Sequence, residues 1–190
     1  MAVLILGLLL FLGVHSVSII NSQWRSDLIA RFGEIPWKAV YGLDAVAGFY
    51  LIASGYGLAR QSPIVIYDPP TWLRHINLLL MLPVFPLLLA AYLPGRIQSA
   101  TKHPMLLAVK IWATGHLLAN GTLADLLLFG SFLIWAVADR ISLKHRVAPP
   151  VHGAPPSQVN DAIAIIGGVG LYLLFMFWLH RVLIGVAPIG

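Results

Sequence analysis

Seven histidines and no cysteines set the chemical vocabulary of this 190-residue chain. Without thiols, disulfides, thiolate nucleophiles and thiolate metal ligands are excluded. A transition metal here must rely on histidine nitrogen or carboxylate oxygen. Several ionisable side chains lie inside apolar runs: His15, Asp44, Lys110 and His116, with Asp125 near the start of another run. His75, His103, Asp139 and His180 stand nearer the ends of such runs. Ionisable groups in such surroundings are costly and face the interior of a helix bundle, where they pair, handle protons or bind ligands.

Their spacing narrows the choices. His15 occurs in Gly13-Val14-His15-Ser16, about three-quarters of the way along the first apolar run. Its chemistry stays open between a neutral imidazole bonded to a neighbouring helix and a ligand or proton carrier. His103 and His116 are 13 residues apart. At ~100° per residue they point about 220° apart on one helix, so a single metal cannot take both. His103 precedes Pro104 and suits the N-cap of a helix at the membrane interface, which leaves His116 as the embedded imidazole. Lys110 must snorkel, pair or lose its proton, and Asp44 is its expected partner. Asp125 sits where a helix N-terminus welcomes a carboxylate and is read as structural. Nucleophile elbows, phosphate loops, Gly-rich dinucleotide loops and zinc motifs are absent. Histidines embedded among many glycines match a b-type haem held by two imidazoles better than any other chemistry.

The elements that must position these groups are membrane helices. Hydrophobic residues make up 59% of the chain and charged residues 10%. A soluble domain carries about 25% charged residues, so this exterior is suited to lipid. A span needs about 20 apolar residues, and the stretches 2–20, 36–59, 73–93, 104–120, 122–138 and 162–186 provide about six. The fold class is therefore all-α, a polytopic bundle of transmembrane helices forming one domain over residues 1–190. The N-terminal run has no basic flank or prompt cleavage site and reads as a retained helix rather than a signal peptide. Pro36 and Pro104 suit first helical positions. Pro83 and Pro86 should kink the third span, and Asn120-Gly121 marks a tight turn. Residues 149–156, rich in proline, read as a surface linker. Gly42, Gly48, Ala53 and Gly57, like Gly167, Gly168 and Gly170, favour close helix packing.

The formal net charge of +5 does not indicate nucleic acid, because no basic patch or reader motif is present. The basic residues sort by side instead. Arg25, Arg31 and Lys38 flank the first loop, Arg96 and Lys102 the third, and Arg140, Lys144 and Arg146 the fifth. Excess Lys and Arg marks the cytoplasmic side, which places both termini outside the cytoplasm.

The chain resembles the NnrU family of small membrane proteins, which includes 15-cis-ζ-carotene isomerase. Leu10-Phe11-Leu12-Gly13-Val14-His15-Ser16, Trp24-Arg25, Trp72-Leu73-Arg74-His75 and Pro94-Gly95-Arg96 carry the likeness. Its most specific part is His103-Pro104-Met105 followed by Lys110-Ile111-Trp112-Ala113-Thr114-Gly115-His116-Leu117-Leu118-Ala119-Asn120-Gly121. Phe129-Gly130-Ser131-Phe132 extends it. The resemblance implies haem b as cofactor, with His15 and His116 as iron ligands and His75 in reserve. Propionates would then seek Arg25, Arg31 or Lys102. It implies a bacterial inner-membrane protein linked to nitric oxide and denitrification. The alternatives are a haem-dependent carotenoid cis–trans isomerase and a haem-free scaffold or transporter with a Lys110–Asp44 pair. The partners expected are membrane lipids, a hydrophobic polyene under the isomerase reading, and a further copy of the chain.

Overall fold

The computed structural model describes residues 1–146, 151 and 153–189. Ten α-helices are present among them: α1 Ala2–Ile20, α2 Ser22–Phe32, α3 Glu34–Ala59, α4 Thr71–Met81, α5 Val84–Ala90, α6 Arg96–Thr101, α7 Pro104–Ala119, α8 Leu123–Ser142, α9 Val159–Leu174 and α10 His180–Ile184. A π-helical turn, Phe175–Leu179, joins the last two. No strand occurs among the described residues, only an isolated bridge between Val65 and Thr122. The all-α expectation holds. Of the proline-rich linker at 149–156, residues 149, 150 and 152 lie outside the described residues.

Four stretches are long and apolar enough to cross a membrane: Ala2–Ile20, Glu34–Ala59, Thr71–Ala90 and Val159–Ile184. The fourth expected span is a 16-residue helix, Pro104–Ala119. The fifth, α8, is 20 residues long but includes Asp125, Asp139 and Arg140. Large apolar side chains face outward on the long stretches, as with Leu43, Phe49 and Ile166, the last 74% exposed. Such a surface is stable against hydrocarbon and costly against water.

The departures from expectation have local causes. Residues 22–32 form a helix rather than a loop, because the Asn21 side chain accepts from the Trp24 N–H and caps a new start. Trp24 and Phe32 are exposed on that helix, as in a helix lying in the membrane interface. Pro36 occupies the third position of α3, not the first, since Gly33 is the N-cap with φ 92°. First-turn N–H groups have no helical partner, so proline is tolerated there. Pro104 does stand at the first position of α7, behind His103 as N-cap. The third span breaks into α4 and α5 at Pro83, which cannot donate to the helix ladder.

The chain forms two compact units. The first contains α1, α2, α3 and α8. Its core lies where α1 meets α3, around Leu4, which is fully buried, Leu8 and Ile52. Glycine makes that approach close. A Cβ on Gly55 would strike the Leu4 backbone, and one on Gly48 would lie 2.7 Å from the Phe11 nitrogen. Gly48 thus fulfils the small-residue expectation, whereas Gly42 and Gly57 face open space. The second unit contains α4 to α7, α9, the π turn and α10. Val84, Leu87 and Ala108 centre its core, with Trp112 and Ile111 packed against them. Gly168 brings α9 against the Pro86 backbone.

Candidate functional site

In the first unit His15 stands in an aromatic cage. Phe11 lies one helical turn before it, and the two rings stack at 4.2 Å. His15 Nδ1 is 2.6 Å from the Phe11 carbonyl. A carbonyl can only accept, so Nδ1 carries a proton, and in the neutral imidazole the lone pair is on Nε2. Tyr41 of α3 stands 5.2 Å from the imidazole and Trp135 of α8 meets it edge-on at 6.0 Å. Phe132, one turn before Trp135, packs on Phe11 at 5.7 Å. The Trp135 Nε1–H is buried and has no hydrogen-bond partner. A buried donor without an acceptor is costly and rare, and this one belongs to a ring that packs edge-on against the imidazole.

Polar contacts anchor α3 and α8 around that cage. Thr122 and Asp125 form a reciprocal capping box at the start of α8. Asp125 is only 4% exposed, and the Tyr56 hydroxyl of α3 donates to its Oδ1. The structural reading of Asp125 is therefore correct, while Tyr56 as its partner had no signal in the sequence. At the other end of α8, Arg146 pairs with Asp139. An open groove of about 640 Å³ lies there, lined by Ser18, Asn21, Gln23, Ile141, His145 and Arg146. Arg25 sits on α2, within electrostatic range of the Tyr41 phenol. Asp44, half-buried, is on α3.

In the second unit His116 lies near the end of α7. Trp112, one turn earlier, meets its ring at 5.7 Å. The Asn120 amide nitrogen donates to the His116 carbonyl at 2.9 Å and lies 3.3 Å from Nδ1. The His180 ring runs nearly parallel to that of His116, 10° between planes and 6.5 Å between centroids. His180 Nδ1 donates to the Val186 carbonyl at 2.7 Å. Asn77 Oδ1 of α4 is buried without a partner and adjoins Gly115.

The other anticipated residues spread out. His75 is exposed on α4, and Lys102 closes α6 with φ 61°. His103 takes the N-cap position of α7 as expected, though its side chain makes no capping bond. Lys110 is half-buried on α7 in the second unit, whereas Asp44 belongs to the first. His15 and His116 likewise belong to different units.

Among the described residues no group of three or more His, Asp or Glu gathers as metal ligands. Haem brings four of its own nitrogen ligands and needs only one or two imidazoles from the chain. His15 fits that demand. Its Nδ1–H is held by a carbonyl, as in most metal-ligating histidines, and the ring of Trp135, whose indole N–H has no partner, packs against it.

A family model described as "NnrU protein" matches residues 3–188 of the 190. No curated protein and no solved structure matches the chain.

Proposed function

The chain belongs to the NnrU family, and from that premise we propose that it is an integral-membrane b-type haem protein serving nitric oxide physiology. The carrying observation is the state of His15. Its Nδ1–H bond to Phe11 presents the Nε2 lone pair of the neutral imidazole among aromatic rings. When bound, haem would supply an iron that takes axial imidazoles and, with one axial position open, a diatomic gas. His15 on α1 would hold the iron from the first unit, and His116 on α7 would offer an imidazole in the second.

The chain's own residues would tune that site. Phe11 and Tyr41 fix the imidazole between rings, so its rotation costs packing as well as a hydrogen bond. The Trp135 Nε1–H supplies one donor for an acceptor entering the cage, whether a propionate or a bound gas. Arg25 on α2 supplies a cation for a carboxylate near the interface.

Absorption spectra of detergent-purified protein, oxidised, reduced and exposed to nitric oxide, test the proposal. A Soret band that shifts with nitric oxide, and that His15→Ala abolishes or displaces, is the expected result. A flat spectrum after haem is added back, in protein that remains monodisperse, would remove the haem reading.

A further inference from the structure

The open groove of about 640 Å³ at the end of α8 does not include His15 among its lining residues. Three parts of the first unit wall it: the last turn of α1, the start of α2, and the end of α8 with the turn that follows. Ile19 and Ile20 from α1, with Ala138 and Ile141 from α8, make one part of the lining apolar. The rest is polar, and it includes Arg146.

Arg146 is held in place by its own chain. Its Nε–H donates to the Ser142 hydroxyl at 3.0 Å, and a terminal nitrogen donates to the Asp139 carboxylate. The side chain remains 15% exposed. A guanidinium carries five N–H donors. The chain engages two, and three remain on a side chain that lines the groove. That planar fork matches the oxygens of a phosphate. A side chain already fixed loses little further freedom when it binds one.

The surroundings are basic. Helix α2 and residues 139–146 carry Arg25, Arg31, Arg140, Lys144 and Arg146 against Asp27 and Asp139. Arg146 alone of these five has an ion pair among the described residues. The excess suits an anion, and the apolar lining decides which kind. Ile134, Val137 and Ile141 are all exposed. Their spacing of three and four residues puts them on one face of α8. This stripe covers about 10 Å of helix and ends in the groove, which Ile141 lines. A soluble anion gains nothing from such a surface, whereas an acyl chain does. Trp24, exposed at the start of α2, is of the residue type that stands at headgroup level.

We propose that this groove binds one phospholipid of net negative charge, with its phosphate on Arg146 and an acyl chain along Ile134, Val137 and Ile141. Basic pockets between membrane helices select anionic headgroups in this way. A zwitterionic lipid offers the same phosphate, but its ammonium group meets the surplus charge of Arg140 and Lys144. The bound lipid bridges the α1–α2 junction and the end of α8.

The test uses the full-length protein, delipidated in detergent and followed by native mass spectrometry. It is titrated with phosphatidylglycerol and with phosphatidylcholine of the same acyl chains. Wild type should take up one phosphatidylglycerol about tenfold more tightly than phosphatidylcholine. Asp139→Asn combined with Arg146→Gln removes the ion pair without stranding a charge, and should abolish the preference. Ile141→Glu, which sets a carboxylate at the end of the acyl stripe, should abolish it as well. Arg146→Lys keeps a charge for Asp139 but loses the fork, and should weaken uptake about threefold; it decides the matter if the double variant fails to fold. Equal uptake of the two lipids, or a preference that survives either the double variant or Ile141→Glu, overturns the proposal. Displacement of the bound lipid by millimolar inorganic phosphate would mark a soluble-anion site and overturns it too.

Discussion

The two histidine environments are built by opposite means. In the first unit His15 takes its orientation from an unbroken helix: the carbonyl that receives its Nδ1–H belongs to Phe11, four residues back. Nothing irregular is needed, only that α3 and α8 come close enough to wall the ring with Tyr41 and Trp135. In the second unit His180 depends on irregular backbone, a π turn before it and a left-handed glycine after it. A regular helix supplies its own acceptor for the imidazole N–H at no conformational cost. A histidine near a helix end must obtain one from a chain reversal, and so stands closer to local unfolding.

That contrast can be broken at its strongest point first. Gly55→Leu forces a side chain into the Leu4 backbone, where no flexible atom can yield. A loss of about 3 kcal/mol or more is expected, at the upper end of overpacking costs. Hydrogen exchange should show α1 and α3 losing protection, and the His15 cage should open with them. If protection there is unchanged, the first site does not depend on that close approach.

Asp125→Ala removes one half of the capping box and leaves the Tyr56 hydroxyl without its acceptor. A cost of about 2 kcal/mol is expected, from a lost cap and a part-buried hydroxyl left without its acceptor. Adding Tyr56→Phe should recover part of it, because the stranded hydroxyl is gone; additive losses would show that the bond is not energetically coupled. Exchange at the start of α8 is the direct readout.

The smallest effect belongs to the second unit. Gly185→Ala asks a Cβ to occupy left-handed backbone, at about 1 kcal/mol. Little global stability should be lost, but the Val186 carbonyl should leave His180 Nδ1. Nitrogen-detected NMR of labelled histidine should show the His180 tautomer become mixed while that of His15 is unchanged. An unaltered His180 signal would mean that the chain reversal does not set its tautomer.

Much of the architecture was legible from simple rules. The apolar runs located the long helices because a bilayer demands about 20 such residues, and Pro83 broke the third span for lack of an N–H. His103 ahead of Pro104 marked the start of α7, and Asp125 the start of α8. What escaped was short or long-range. The helix α2 turns on one side-chain bond from Asn21, too small a signal to separate from a polar loop. Pro36 falls two residues deeper than expected because Gly33 starts the helix earlier.

The candidate site divides along the same line. The amino-acid sequence by itself determined that the protein is a cysteine-free helical membrane protein of a recognisable family, with His15 and His116 in apolar surroundings. Those properties follow from composition and local spacing, which survive whatever the helices pack against. Only tertiary structure decided which groups face each imidazole. Tyr41 and Trp135 reach His15, and His180 reaches His116, across sequence separations that no periodicity encodes. The readiness of each ring for a ligand depends on its Nδ1 partner: a helical carbonyl for His15, a folded-back carbonyl for His180, a side-chain amide for His116. For His180 that partner exists only once Gly185 has turned the chain.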